Sequence, residues 1–575
     1  MKQTNTKMKS KVKDKAAFLL LTGLIFFLLI QTQTSYQAES IFAESSTTTA
    51  FAVTKDNDIQ YVSGYAISAA AEALIHVNGN WAEICLAYDW CTGLGTYNDP
   101  YEIKDLILDA GDKHGILIEN THEYFRIENC TFKKGSSYIA TGIVLSFVGN
   151  GTILRNTFYN DGKGISIYRS SNIIVSNNIY RDNAYSILVK YSSYTTLVDN
   201  RHIGNQYAIY LDHSHNNIVT GNNCTDNKYA ISLYDSNKNI VIGNNCMEND
   251  YYGIRLYRSD YNIISKNVCT GNKENNPSFF NDWCGIKLYS SRYNTVTENI
   301  CTDSDYGIYL SGSFLGNPSS YNNVSMNTCM DNKYGIYLGS SSEYNIIEGN
   351  NCARNEEGIS SSSRYNLIIG NICTDNDYGI DLSFSVYNDV VGNNCTNNHY
   401  NGINLSFTSN NNISGNICVD NGRHGIYLGL SDDTVVTRNI CTGNRYGIYI
   451  YLGSYNDVFD NFLTENILGC LEDCGIESYI YNNTCVVDTT EDPVITTLTN
   501  GSSETQSTED TMTTDSITTT LADGSSDTQS AEDTIATTSV NEVSDDQIAE
   551  YQLIAPILAL IVISSVVVFQ KQKRR

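Results

Sequence analysis

The chain has 575 residues, with 36 Lys plus Arg against 63 Asp plus Glu and a formal charge of −27. That length excludes a single compact core, and the acidic balance excludes the basic footprint that DNA or RNA binding requires. With 41 glycines and only 5 prolines the chain is not collagen-like, and 42 tyrosines among abundant Asn, Ser and Thr suit a polar-faced all-β protein.

Residues 1–43 read as a secretory signal peptide. Six lysines in residues 2–15 precede an apolar run at 16–30, and small residues at Ala38 and Ala43 mark the expected cleavage region. An uncleaved N-terminal anchor is the alternative. Residues 44–114 are expected to form a cap and lead-in.

From 115 to 487 the sequence repeats. An isoleucine preceded by Gly, Ala or Ser recurs at Ile116, Ile143, Ile165, Ile187 and onward to Ile448 and Ile476, mostly in steps of 21–23 residues. Residues 252–272 (YGIRLYRSDYNIISKNVCTGN) display the unit G-I-x-L-x-x-S-x-x-N-x-I-x-x-N-x-C. Ile254 and Leu256 are two apart, so they share one strand face. Three short strands in 22 residues are too brief to form useful hairpins, but they can stack on the equivalent strands of the next unit. The expectation is an all-β parallel β-helix of about 16 coils, a rod of roughly 75 Å. A leucine-rich repeat would need L-x-x-L-x-L spacing, which is absent. Asn262, Asn294 and Asn345, and likewise Asn267, Asn299 and Asn350, fall at turns and are expected to form side-chain ladders.

Cys224, Cys246, Cys269, Cys301, Cys329, Cys352, Cys373, Cys395, Cys418 and Cys441 occupy one column of the repeat. A stacked interior column of thiols is expected, since Cys behaves there as a small hydrophobe. A soft-metal channel is the alternative and lacks tetrahedral geometry. Off-column cysteines are better disulfide candidates: Cys85 with Cys91, Cys470 with Cys474, and Cys284.

Residues 488–552 read as a disordered acidic stalk. No Lys or Arg occurs from Thr489 to Gln552, and GSSETQSTEDTMTT at 501–514 recurs as GSSDTQSAEDTIAT at 524–537. Residues 553–570 are apolar and just long enough for a membrane helix. The basic tail at 571–575 would stay cytoplasmic. The expected location is therefore the cell membrane, single-pass, with the repeats outside. The ectodomain from 45 to 550 carries about −34.

The G-I-x-L…N-x-I…N-x-C/F units resemble NosD-type β-helix repeats, a type also found in carbohydrate-binding proteins, sugar hydrolases and alginate epimerases. IHVNGNW at 75–81, WCTGLGTYNDPYEI at 90–103 and YFRIENCTF at 124–132 look like the cap and first coils of archaeal surface proteins of this type. The resemblance spans about 75–487 and implies a right-handed, single-stranded β-helix. It leaves activity open, and no copper ligand set carries over to this chain.

No G-x-S-x-G, H-E-x-x-H, Walker loop or C-x-x-C is present. Asp212, His213 and His215 are a weak metal hint at an expected turn. Glu356, Glu357, Asp377 and Asp381 put carboxylates on consecutive coils, a spacing compatible with glycosidase chemistry or with calcium; no cofactor is expected, calcium being the alternative to none. Two insertions, one between Gly271 and Cys284 and one near 312–320, flank a strand face whose outward position holds Arg255, Lys287, Tyr309 and Tyr337. Phe279, Phe280 and Trp283 lie in the first insertion. Aromatic faces with two cations suit a sugar polymer, and loops on a rigid scaffold are common binding sites. The alternative is a Tyr ladder stacked on itself. Sequons at Asn150, Asn323, Asn404 and Asn412 suggest glycosylation. The functional expectation is a membrane-anchored rod for display, adhesion or carbohydrate binding, with polysaccharides or other surface proteins as partners. A polysaccharide lyase, hydrolase or epimerase is the enzymatic alternative, and copper handling, by analogy with NosD alone, is a third.

Overall fold

The computed structural model describes residues 54–56, 59–63, 73–133, 140–159, 162–273, 283–313, 316–487 and 494–498. The expected signal peptide, membrane helix and basic tail lie outside them, as do Phe279, Phe280 and the expected stalk apart from 494–498. There Val494–Leu498 is not disordered but forms a strand antiparallel to Asn483–Val487, its run VITTL being rich in the β-branched residues that suit a strand. Among the described residues no helix is long and apolar enough to cross a membrane.

The repeats form a β-solenoid of about 16 turns. Each turn contributes one strand to each of three faces, for example Tyr252–Tyr257, Ile263–Ser265 and Val268–Thr270. Strands of successive turns pair in parallel and in register, so that Ile254 meets Ile286 and then Ile308, and Cys269 meets Cys301 and then Cys329. Strict register follows from the two-residue alternation, since a slip by one would turn each apolar column outward. The inward columns are Ile and Leu on the long-strand face, Val and Ile on the second, and Cys on the third, all fully buried from Cys224 to Cys441. Toward the N-terminus the third column is aromatic instead. Phe132, Phe158, Tyr180 and His202 stack at centroid separations of 4.6, 4.9 and 4.8 Å.

Corners are built from left-handed residues followed by a ladder residue, as with Tyr261 (φ 59°) before Asn262 and Lys266 (φ 56°) before Asn267. Asn267 donates its backbone N–H and its side-chain N–H to Oδ1 of Asn299, both at 3.0 Å, and its amide also reaches the Val241 carbonyl at 2.9 Å. The ladders thus satisfy backbone groups that no sheet reaches at a corner. Beside the two Asn ladders the sequence announces, the fold has a third, including Asn249 to Asn272, and a serine ladder through Ser236, Ser259 and Ser291. The Gly before each core Ile has a steric cause. A Cβ on Gly335 would lie 2.4 Å from the Gly358 carbonyl oxygen and 3.0 Å from Nδ2 of Asn355.

The array is capped at both ends. The helix Trp81–Ala87 buries Trp81 against Tyr101 and Phe125, with centroids at 5.2 and 5.5 Å, and the Cys85–Cys91 disulfide ties it down. At the other end Cys470 bonds Cys485, not Cys474 as the sequence suggested. Cys470 and Cys474 share the extended strand Gly469–Ile476. Four residues of strand separate Cα atoms by about 13 Å, beyond disulfide reach. Cys485 lies on the third face of the last turn with its Cα 5.8 Å from that of Cys470, and Cys474 is an exposed thiol. Cys284 forms no disulfide among the described residues and occupies a buried position in register with Tyr252 and Tyr306.

Candidate functional site

The outward side of the long-strand face is a single column running Ser232, Arg255, Lys287, Tyr309, Tyr337, Ser360, Asp381, Asn404, Tyr427 and Tyr449, each in register with the next. Four of the candidates, Arg255, Lys287, Tyr309 and Tyr337, are therefore consecutive. Arg255 lies over the rings of Tyr252 and Tyr257, with Cζ 5.3 and 5.2 Å from their centroids. Lys287 is buried, its Nζ 5.3 Å from the Tyr252 ring centre and 4.8 Å from that of Tyr309. The ring faces that the sequence offered to a sugar are thus partly occupied by cations. Trp283 is buried beside this column, its indole N–H without a partner among the described residues.

Farther along, the column changes height. Between the rings of Tyr337 and Tyr427 stand Ser360, Asp381 and Asn404, all short and buried. Four strand spacings make this recess about 19 Å long. Tyr334, Glu357 and Tyr378 border it in register along the leading edge of the strands, and Ser383 and Ser406 lie along the trailing edge.

A polar chain lines the floor. Ser383 Oγ donates to Oδ2 of Asp381 at 2.7 Å, and the Asn404 amide donates to its Oδ1. Asn401 donates to Oδ1 of Asn404 at 2.8 Å, and its own Oδ1 accepts from the His424 backbone N–H at 3.2 Å. Glu357 faces this chain, its Oε2 buried and without a hydrogen-bond partner among the described residues. Burial, and then the charge of Asp381, push the Glu357 carboxyl up to about 7. Burial also raises Asp381, opposed by the bonds from Ser383 and Asn404. The pair is therefore differentiated, with Glu357 able to hold a proton near neutrality while Asp381 is supplied with donors that favour its charged form.

Of the four carboxylates noted in the sequence, Glu357 and Asp381 meet here and the others do not. Glu356 is exposed, and Asp377 is at a corner with Nδ1 of His399 at 3.3 Å. Asp212 is engaged by Lys190 at 2.8 Å and by His213, while Nδ1 of His215 accepts the Asn237 backbone N–H at 3.0 Å. Asn404 is in the recess floor, its side-chain amide donating to Asp381.

Sequence reasoning missed the recess and also an exposed stack of Tyr261, Tyr293, Tyr321, Tyr344, Tyr365 and Tyr387, with neighbouring centroids 4.9–5.3 Å apart. The recurring Tyr-Asn at the ladder corner was the available signal. These rings face one another, so only their edges and hydroxyls meet solvent.

The family described as periplasmic copper-binding protein (NosD) matches residues 46–232, 136–276, 272–377 and 361–491. No curated protein matches the chain. Solved structures similar to it include the A-module of the Azotobacter vinelandii mannuronan C-5 epimerase AlgE6, at 10% identity and a TM-score of 0.30, covering 65% of this chain and 91% of that one. The periplasmic alginate epimerase AlgG has 14% identity and a TM-score of 0.25, covering 74% of this chain and 85% of its own. The DFA-IIIase of Arthrobacter chlorophenolicus A6 has 12% identity and a TM-score of 0.28, covering 55% and 84%. At TM-scores of this size the likeness carries no functional inference.

Proposed function

The chain belongs to the NosD family, and from that premise, together with the recessed long-strand face, we propose that it is an extracellular rod that binds a polysaccharide along this face. The observation that carries the reading is the profile of one column: rings at Tyr309 and Tyr337, a small polar floor at Ser360, Asp381 and Asn404, then rings at Tyr427 and Tyr449. Rings at the margins supply apolar surface with polar tips, and the floor supplies convergent hydrogen-bonding groups. The acidic segment 499–552 and the apolar segment 553–570 of the sequence would act as spacer and anchor, holding the rod at the cell surface.

A second reading, cleavage or epimerisation of the bound chain, draws on the Glu357–Asp381 pair, two carboxyls raised by burial in the same recess, of which only Asp381 is bonded by Ser383 and Asn404. Copper is not part of either reading. Among the described residues no group of three or more His, Cys, Asp or Glu is placed to hold a metal ion, and the thiol column is closed off inside the rod.

The test is retention of the protein on a panel of neutral and acidic polysaccharides, with and without calcium, with newly formed sugar ends recorded in the same wells. Retention without new ends supports the binding rod. New reducing or unsaturated ends make it an enzyme. Neither signal sinks both readings.

A further inference from the structure

We propose that the same face carries an anion subsite, centred on Arg255 and Ser232, that takes the carboxylate or sulfate group of an acidic polysaccharide. The inference rests on the polysaccharide reading and narrows it to charged chains.

Ser232 and Arg255 are register partners on adjacent strands, both in the outward column. Ser232 is 4% exposed and its Oγ has no hydrogen-bond partner among the described residues. The Nε–H of Arg255 is likewise buried and without a partner among the described residues. Two neighbouring polar groups are thus left unsatisfied, and a guanidinium can only donate. Buried donors without acceptors are rare and costly in folded proteins, so an acceptor from outside the chain is the physical completion of this pair.

The surroundings favour a charged acceptor. The Tyr252 and Tyr257 rings lie 5.3 and 5.2 Å from Cζ of Arg255. They hold the cation through their faces but accept nothing from its in-plane N–H groups, which remain suited to an oxyanion. Lys287, one strand on, has its Nζ 5.3 Å from the Tyr252 ring centre and adds a second positive charge. All this occurs on a chain of net charge −27, where positive potential is local and general attraction of polyanions is opposed. A single carboxylate or sulfate oxygen pair can accept from Arg255 and from the Ser232 hydroxyl together.

The experiment uses the full-length chain in detergent and matched polymers. Polygalacturonate is compared with its methyl ester, and dextran sulfate with dextran, which separates carboxylate from sulfate as the preferred group. The acidic member of at least one pair should bind at least ten-fold more tightly than its neutral match. Arg255→Gln should weaken acidic binding roughly ten- to hundred-fold, the worth of a lost charged hydrogen bond, and leave neutral binding within about three-fold. Ser232→Ala, a small change that spares the packing, should lower acidic affinity several-fold even if Arg255→Gln perturbs the fold. Equal affinity for charged and neutral partners, or acidic binding that survives both substitutions, overturns the subsite. Retention of neutral polymers alone overturns it while the polysaccharide reading stands. Retention of none overturns both.

Discussion

His202→Phe probes the aromatic start of the third interior column. His202 is fully buried, its ring stacked 4.8 Å from Tyr180 and its backbone in register with Cys224, and neither ring nitrogen has a partner among the described residues. Burial lowers its pKa from 6.5 to about 3. The unfolded chain therefore takes up a proton as pH falls below 6.5, whereas the folded chain resists until about 3. This residue's contribution to stability is intact above pH 6.5 and is lost progressively as pH falls toward 3. At 1.36 kcal/mol per unit, the loss is about 2 kcal/mol at pH 5 and about 3 kcal/mol at pH 4. Phenylalanine extends the stack formed by Phe132 and Phe158 and does not titrate. Its absolute effect combines relief of two unsatisfied nitrogens with some repacking, so the informative quantity is a difference of differences. Urea denaturation at pH 7.5 and pH 5, for wild type and variant, cancels every other titrating group. Hydrogen exchange in the turns around Tyr180 to Cys224 checks that the change is local, as expected in a solenoid whose turns contact only neighbours. The wild type should lose about 2 kcal/mol more than the variant between the two pH values. Equal losses would refute the claim that His202 is buried in its neutral form.

Glu357→Gln should show the opposite sign. With a folded pKa raised to about 7, the wild type is fully stable below the unfolded value near 4.5 and loses up to about 3 kcal/mol as pH rises through 7, so the variant should gain on it between pH 4.5 and pH 8 in the same denaturation assay. Asn350→Ala removes the acceptor of the Asn327 backbone and side-chain N–H groups, both at 2.9 Å, and the donor to the Val324 carbonyl; a loss of about 2–5 kcal/mol is expected from stranding these groups, read as urea midpoint. Ile336→Asp puts a carboxylate in a fully buried column and should open the neighbouring turns to protease at neutral pH; unchanged cleavage and unchanged thermal unfolding would show that the column does not face inward.

The period and the three-strand turn were legible because they recur along the array and obey a two-residue alternation, and the interior Cys column because it repeats from Cys224 to Cys441. Other features depend on where a corner falls, which the sequence does not mark. Glu356 and Glu357 are adjacent, and the spacing to Ile359 drew attention to the first. The corner passes between them, leaving Glu356 in solvent and turning Glu357 onto the long-strand face. Cys474 looked like a partner for Cys470 because it is near in sequence, but an extended strand carries it away and the next face brings Cys485 close. Lys287 and Arg255 were found because they share a repeat position, whereas their burial depends on ring orientations that spacing cannot supply. The third Asn ladder was readable in principle from Asn three residues after Cys, as at Cys269 and Asn272 or Cys329 and Asn332.

One turn of the solenoid departs from its neighbours in three columns at once. Tyr334 and Tyr378 enclose Glu357, Tyr337 gives way to Ser360, and the inward sequence Leu310, Leu338, Leu382 is broken by Ser361. The last change forgoes a buried leucine worth about 1.5–3 kcal/mol, and the Ser361 hydroxyl is occupied locally by the Ser363 backbone N–H at 3.3 Å. A raised carboxyl pKa adds a further cost at neutral pH. A repeat under selection for stacking alone has no physical reason to accept both costs on one strand, because the residues of the neighbouring turns would fit the same backbone. Departures from local consistency concentrate where a protein binds or reacts, and here they coincide with the recess floor. The same reasoning separates the recess from the exposed stack of Tyr261 to Tyr387, where every turn repeats its neighbour and mutual ring packing is a sufficient account.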